Sequence, residues 1–190
     1  MPERHVIANR ALGLVQENRI SSFDQGTTES ELVKENYESS VKTCLEDGAW
    51  NFAETAARLA KDASPARPDF DFSYAIPIDC IAPKWMLEPD GRISRIGYRI
   101  SKSRLCTDLD NPWLVYTYRA PEYLFGSMFT DALVYLLASR ISPALTETEA
   151  KTEQLYKLYI DAITRARSRN AQQDMAEQFD TTTFTSAHVG

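Results

Sequence analysis

Ser30 to Ala60 reads SELVKENYESSVKTCLEDGAWNFAETAARLA, and the fold expected of the chain turns on how this stretch is interpreted. Apolar residues recur at Val33, Tyr37, Val41, Cys44, Leu45, Ala49, Phe52, Ala56, Leu59 and Ala60, in steps that lay one stripe along one face of a helix. The spacing predicts two nearly continuous helical segments hinged at Gly48. A stripe of this length must be buried, and its partners must come from the two ends of the chain. The next comparable helical patterns lie at Val6 to Val15 and beyond Pro121.

Toward the N-terminus, Val6, Ile7, Ala8, Ala11, Leu12, Leu14 and Val15 form a short amphipathic helix that ends by Asn18. Ile20 to Gly26 is a turn-rich connection, and Thr28 with Glu31 reads as a capping box that starts the long helical stretch. Trp50 and Phe52 follow the glycine. They read as core anchors, with a subunit-contact hot spot as the functional alternative, because aromatic anchors dominate interfaces.

Toward the C-terminus, the helical signal stops at Ser64-Pro65-Ala66-Arg67-Pro68, where two prolines leave no room for a helix to continue. Phe70, Phe72, Tyr74 and Ile76 then alternate with Asp71, Ser73 and Ala75, the two-residue period of a half-buried strand. Ile78 to Leu87 continues extended, and Pro89-Asp90-Gly91 is a turn. Ile96, Tyr98 and Ile100 mark one face of a second strand, and Trp113 to Tyr118 is an aromatic and β-branched one. Phe70 to Arg119 therefore reads as a small antiparallel sheet set between helical halves.

Pro121 is placed as a first helical residue, and Phe125, Met128, Phe129, Ala132, Leu133, Leu136, Leu137 and Ile141 give a helical stripe broken at Ser142-Pro143. Thr146 with Glu149 reads as a capping box opening a last helix, striped by Leu155, Leu158, Tyr159, Ala162, Ile163 and Ala166. These two helices are expected to pack antiparallel. The fold class is thus α+β, mainly α: a helical bundle built from both chain ends, an inserted small antiparallel β-sheet and a flexible C-terminal arm. The corresponding segments are 1–64, 65–120, 121–176 and 177–190.

The chemistry of the sequence excludes more than it offers. Seven glycines are scattered singly, with no phosphate-cradling loop, and the two histidines, His5 and His188, lie at opposite ends. No catalytic residue, metal site or cofactor is expected. Asp69 with Asp71 and Asp108 with Asp110 are spaced so that they could bind a divalent cation or share acid-base work, but each pair lies in a turn, where Asp oxygens cap backbone, and that reading is preferred. Cys44, Cys80 and Cys106 form no C-x-x-C pair and read as buried or semi-buried thiols of a reducing compartment. A net charge of −6 argues against a dedicated nucleic-acid binder. The first ten residues lack the apolar core of a secretory signal and the longest apolar run is far short of a membrane span, so a soluble protein made in a cytoplasm is expected. Arg165, Arg167 and Arg169 accumulate near the end; they could touch DNA phosphates, but they spread over different faces of a helix and neighbour Asp161 and Asp174, which favours a solvated surface or inter-subunit salt bridges. Phe179, Phe184 and Val189 stand out in the otherwise small and polar tail, which reads either as an idle flexible end or as an arm with anchors for a partner's groove or strand edge.

A family resemblance runs through the same residues. Asp24-Gln25, Glu29, Glu31, Tyr37, Glu46 to Ala53, and then Ala56, Arg58 and Leu59 resemble the tail tubular protein A family of short-tailed phages, which are head-to-tail adaptor proteins. Tyr74-Ala75-Ile76-Pro77-Ile78-Asp79-Cys80 is similar to that family's Leu-Pro-x-Asp-Cys segment, and Pro121 to Ile141 with Thr146 to its C-terminal helical pair. The resemblance implies a virion structural protein at the head-tail interface, assembled in the host bacterium's cytoplasm. It implies a homo-oligomeric ring of about twelve copies. Its partners would be the portal protein and a tail tube, nozzle or stopper protein, with genome DNA passing through the lumen without specific binding. Phe179, Phe184 and Val189 would belong to the portal-binding arm, and Trp50, Phe52, Arg165, Arg167 and Arg169 are subunit-interface candidates. The residues without the resemblance are equally compatible with a cellular helical protein-binding module that has no catalytic activity.

Overall fold

The computed structural model describes residues 3–145 and 149–185, with side chains through Gln172. Among these residues the protein is mixed α/β, with four α-helices and two small antiparallel sheets. The chain divides into two units, one made of Met1–Phe52 with Ala120–Gly190 and the other of Ala53–Arg119.

The first unit holds all four helices: α1 (Arg4–Leu14), α2 (Thr28–Glu46), α3 (Ser127–Leu145) and α4 (Glu149–Thr185). Helix α3 touches each of the other three. Its buried residues, from Phe129, Ala132 and Leu133 round to Val134, Leu136, Leu137, Ala138 and Ile141, cover most of its circumference, as a central helix requires. Helix α4 runs antiparallel to it, since Thr152 near its start bonds Ser142 near the end of α3 (3.1 Å), while Ala166 and Asn170 lie beside Phe129. Helix α1 is joined to the segment after it by a two-way hydrogen bond between the Asn9 side chain and the Ile20 backbone (2.9 and 2.8 Å).

Several local expectations shift in this unit. The capping box of α2 lies one residue early: the Thr27 hydroxyl accepts from Ser30 N (3.3 Å) and the Ser30 hydroxyl accepts from Thr27 N (3.0 Å), in place of the expected Thr28 and Glu31. Pro121 is extended and leads into a 3-10 turn at Glu122–Leu124, so α3 begins only at Ser127. Pro143 does not break α3. It falls in the last turn, where its missing N–H costs a single intrahelical bond. The proposed cap at Thr146 lies outside the described residues.

The main correction falls in the opening stretch. Helix α2 ends at Glu46, and Trp50 folds back so that its indole Nε1 donates to the Cys44 carbonyl (2.8 Å), one of the acceptors a helix end leaves open. The indole lies against Gly48 so closely that a Cβ there would stand 2.8 Å from it, which is why a glycine is needed at this point. Beyond a 3-10 turn at Asn51–Ala53, residues Glu54–Arg58 form strand β1, not the second helical segment. The helical part assigned to 1–64 therefore stops before Glu54. The sequence ETAAR has the composition of a helix, but propensity is a weak prior, and five consecutive partners on another strand outweigh it.

The second unit contains β1, β2 (Ala60–Lys61), β3 (Phe72–Ala75), β4 (Cys80–Leu87), β5 (Arg99–Ser101), β6 (Arg104–Thr107) and β7 (Trp113–Tyr118). They form two sheets, in the orders β1-β7-β4 and β2-β3-β6-β5, where one sheet was expected. The chain passes from one sheet to the other at Leu59, whose N–H is held by the Pro112 carbonyl (3.1 Å). Both sheets contribute to one core of Leu59, Tyr74, Met86, Leu105, Leu109, Leu114 and Tyr116. The buried Tyr74 hydroxyl donates to Leu109 O (2.9 Å) and accepts from Asn111 N (3.0 Å), tying the turn before β7 to that core. The second expected strand shrinks to Arg99–Ser101, with one isolated pairing of Ile93 to Leu87.

Candidate interaction surfaces

Trp50 and Phe52 lie where the end of α2 meets the start of α3 and the middle of α4. Trp50 is buried, and its ring stands edge-on to Phe129 at 5.0 Å. Half-buried Phe52 contacts Trp50 at 5.9 Å, Phe125 at 5.8 Å and Phe129 at 5.1 Å, so four aromatic rings interlock. Such edge and tilted contacts add to the burial of apolar area. Trp50 is thus a core anchor, while Phe52 keeps a face toward an open groove of about 510 Å³ that Met128, Ala166, Arg169 and Asn170 also line.

Asn170 holds this corner together. Its amide nitrogen donates to Ala49 O (2.6 Å) and Asn51 Oδ1 (3.0 Å), and its oxygen accepts from Asn51 N (3.2 Å). The turn after α2 is thereby fastened to α4, and the aromatic groove keeps its shape. Arg169 borders this groove, and Arg167 borders a neighbouring one with Ala49, Trp50 and Thr164. Arg165 is exposed and donates from Nε to the Asp161 carbonyl of its own helix (3.2 Å). None of the three arginines makes an ion pair among the described residues. The structure thus brings together Trp50, Phe52 and Arg169 in one groove and sets Arg165 and Arg167 on exposed positions of the same helix. The backbone at Phe179 and Phe184 is helical, because α4 continues to Thr185; the run from Ala171 to Gln178 is rich in good helix formers, and extending a helix is far easier than starting one. Val189 lies outside the described residues.

A second cluster was not legible in sequence. Arg140 on α3 donates from Nη1 to the Ser39 and Ser40 hydroxyls (3.0 and 3.2 Å) and from Nη2 to Thr43 Oγ1 (2.8 Å). These hydroxyls spend their own protons on the backbone carbonyls of Asn36 and Ser39, so they face the guanidinium as acceptors. Below it, Tyr159 donates to Asp47. The only sequence signal was the serine and threonine content of α2, which is ordinary for an exposed helix.

Two titratable groups of this cluster, Cys44 and Tyr159, are held in their neutral forms. Burial pushes the Cys44 thiol well above its ordinary range, with the Asp47 charge adding to the effect, so no thiolate nucleophile forms near neutrality. Burial, then the bond to Asp47, raises Tyr159 likewise. In the sheet unit, burial and a hydrogen bond to Asp79 (3.0 Å) push Tyr116 up to about 12. All three stay protonated at neutral pH. The carboxylate pairs have structural roles: Asp69 takes a two-point bond from Arg67 (2.7 Å each), Asp108 accepts from Asp71 N (3.0 Å), and Asp110 pairs with Lys61 (2.9 Å). Among the described residues, no three His, Cys, Asp or Glu side chains are placed to hold a metal ion, and no helix is long and apolar enough to cross a membrane. No protein-family model matches the chain, and no curated protein matches it.

Proposed function

We propose that this protein is a head-to-tail adaptor of a tailed phage, a virion structural protein that forms a ring between the portal and the tail and extends the DNA channel. The observation that carries the reading is the open aromatic groove beside Trp50 and Phe52, edged by arginines with no ion pair among the described residues. A half-buried aromatic face, here Phe52, next to guanidiniums without ion pairs is what a subunit contact uses. The ordered resemblance of Asp24 to Leu59, Tyr74 to Cys80 and Pro121 to Thr146 to the adaptor family supplies the specific role.

In this proposal the helices from both chain ends form a bundle that makes the ring wall. Each copy presents the Trp50 groove to a different face of its neighbour, a heterologous contact that closes at about twelve copies. The sheet unit meets the tail tube, nozzle or stopper protein. The segment from Glu177 engages the portal through Phe179, Phe184 and Val189. A net negative wall repels phosphate, so DNA passes without being held. The role calls on no catalytic residue and no cofactor.

Light scattering during size exclusion, with and without the candidate portal, tests the reading. The expected result is a portal-bound ring with one adaptor per portal subunit. A monomer that leaves the portal unbound overturns it and returns the chain to a cellular helical binding module. Deleting Glu177 to Gly190 is expected to preserve helix content and abolish portal binding; unchanged affinity removes the portal-arm assignment.

A further inference from the structure

The open side of the sheet unit carries an arrangement that the adaptor reading leaves unused. From Gly91 to Thr107 the chain has Arg92, Arg95, Arg99, Lys102 and Arg104 and no Asp or Glu. Arg92 is paired with Asp90 (2.7 Å), and Arg104 with Asp62 (3.4 Å). Arg95, Arg99 and Lys102 are exposed and make no ion pair among the described residues. Interleaved with them, Ile93, Ile96 and Ile100 are 69%, 41% and 46% exposed. Isolated exposed isoleucines need no explanation, and Ile93 pairs with Leu87 of the other sheet, but Ile100 lies on an edge strand beside Arg99, which has the Asp69 carboxylate near it, with Arg95 and Lys102 close by in sequence.

Strand β5 is the outer strand of its sheet. It joins β6 through a two-residue turn at Lys102 and Ser103, both at positive φ (49° and 60°), closed by the Ser101–Arg104 pair. In such a hairpin the closing pair exchanges backbone bonds and the next pair does not. Arg99 and Ser101 therefore bond inward to β6, and the N–H and C=O of Ile100 point to the open side. Ile100 stands opposite Leu105, and residues opposite one another face the same side of a sheet. Leu105 is fully buried, whereas nearly half of Ile100 is exposed. The core-facing layer ends one strand short.

We propose that the β5 edge is a docking site for an extended acidic segment of a partner protein, which adds to the sheet as a further strand. Its backbone pairs with Ile100, its aliphatic side chains cover Ile100, and its carboxylates, pointing the other way at the two-residue period, meet Arg99 with Arg95 and Lys102 flanking. Nucleic acid fits less well: phosphates satisfy the cations but leave the isoleucines uncovered. Base stacking needs exposed aromatic faces, and Tyr98 is half-buried with its hydroxyl bonded to Lys84 O (3.2 Å). A second copy fits less well too, since β2, the far edge of this sheet, is only two residues long and carries no carboxylate to meet the strip. The proposal does not rest on the ring reading.

The test uses the full chain and a fluorescent peptide of about eight residues alternating Asp and Val, with the same peptide N-methylated at alternate amides so that it cannot pair along its backbone. The expected result is at least tenfold weaker binding of the methylated peptide, at least tenfold slower amide exchange at Ile100 in the complex, and loss of binding in Arg99→Glu and in Ile100→Lys with circular dichroism unchanged. Equal binding of both peptides overturns the proposal, because charge alone then explains it. No binding of either also overturns it. Tighter binding of a single-stranded oligonucleotide, with no protection of Ile100 by the peptide, replaces the partner with nucleic acid. Self-association that Ile100→Lys abolishes and the peptide does not compete replaces it with a second copy.

Discussion

The sheet unit, Ala53–Arg119, holds ten basic and nine acidic residues, whereas the helical remainder of the chain holds eleven basic and eighteen acidic, a net of +1 against −7. The two units also solve the packing problem differently. The helical unit surrounds a mostly aliphatic α3 and anchors one end with four interlocking rings. The sheet unit, with shorter elements, builds its core partly from tyrosines whose hydroxyls are satisfied internally: Tyr74 by backbone and Tyr116 by Asp79. The long helices bury most of their area as aliphatic side chain and add polar bonds at their ends and edges, as at Trp50, Tyr159 and Arg140. Short strands at a two-sheet corner have less aliphatic area to bury, so buried hydroxyls there carry specific geometry as well as area.

The largest effect that tests this contrast is expected in the helical unit. Trp50→Ala removes the ring that fills the groove floor and the bond to the Cys44 carbonyl, and is expected to cost about 3–5 kcal/mol in denaturant unfolding followed by helix signal. A cost below 1 kcal/mol would show that the aromatic corner is decoration and the contrast false.

Alkali probes the sheet unit. Tyr116 has a folded pKa of about 12 against an ordinary value of 10.0, so the fold favours its protonated form. That stabilisation is fully present below pH 10 and is lost as pH rises through 12, because the unfolded chain then releases the proton first. The full loss is about 3 kcal/mol. Unfolding midpoints measured from pH 9 to 12 should fall, and Tyr116→Phe should flatten the fall. A variant with the same pH profile as the parent would remove Tyr116 as the cause.

A smaller change concerns the turn between β5 and β6. Ser103 at φ 60° occupies a conformation that glycine adopts freely, so Ser103→Gly is expected to stabilise the sheet unit by about 0.5–1 kcal/mol in thermal unfolding. Destabilisation would mean that the serine side chain contributes more than its backbone strain costs. The smallest stability change is expected from replacing Arg165, Arg167 and Arg169 together by Glu, within about 0.5 kcal/mol of the parent, because none has an ion pair among the described residues. Association should respond instead. Ring formation on the portal that survives the triple replacement would remove these arginines from the proposed interface.

The helices were legible because their stripes are long. Val33, Tyr37, Val41, Cys44 and Leu45 are all fully buried on α2, and the stripe of α3 from Phe129 to Ile141 is buried as its period implied. Trp113 to Tyr118 and Phe72 to Ala75 were legible as strands through alternation and β-branched or aromatic content. Strand β6 was missed because its turn is Lys-Ser, without the Asn-Gly or Asp-Gly signal of a two-residue hairpin, although the backbone adopts the same positive φ values. The groove residues Trp50, Phe52 and Arg169 could each be named in advance. That they share one groove could not, since Asn170 and Asn51 are 119 positions apart and their bond exists only when α4 lies along α3.

By itself, the sequence determined what repeats locally: the periods of the long helices and of the clearest strands, the end of the first helical segment near Gly48, and the division of charge. Tertiary structure decided what depends on a distant partner. Glu54 to Arg58 became a strand because β7 offered it five ladder partners, against a helical preference worth only tenths of a kcal/mol per residue. The same rule governs Arg140, which three hydroxyls on another helix hold in place, and Ile100, whose open backbone edge exists only because no strand follows β5 in its sheet.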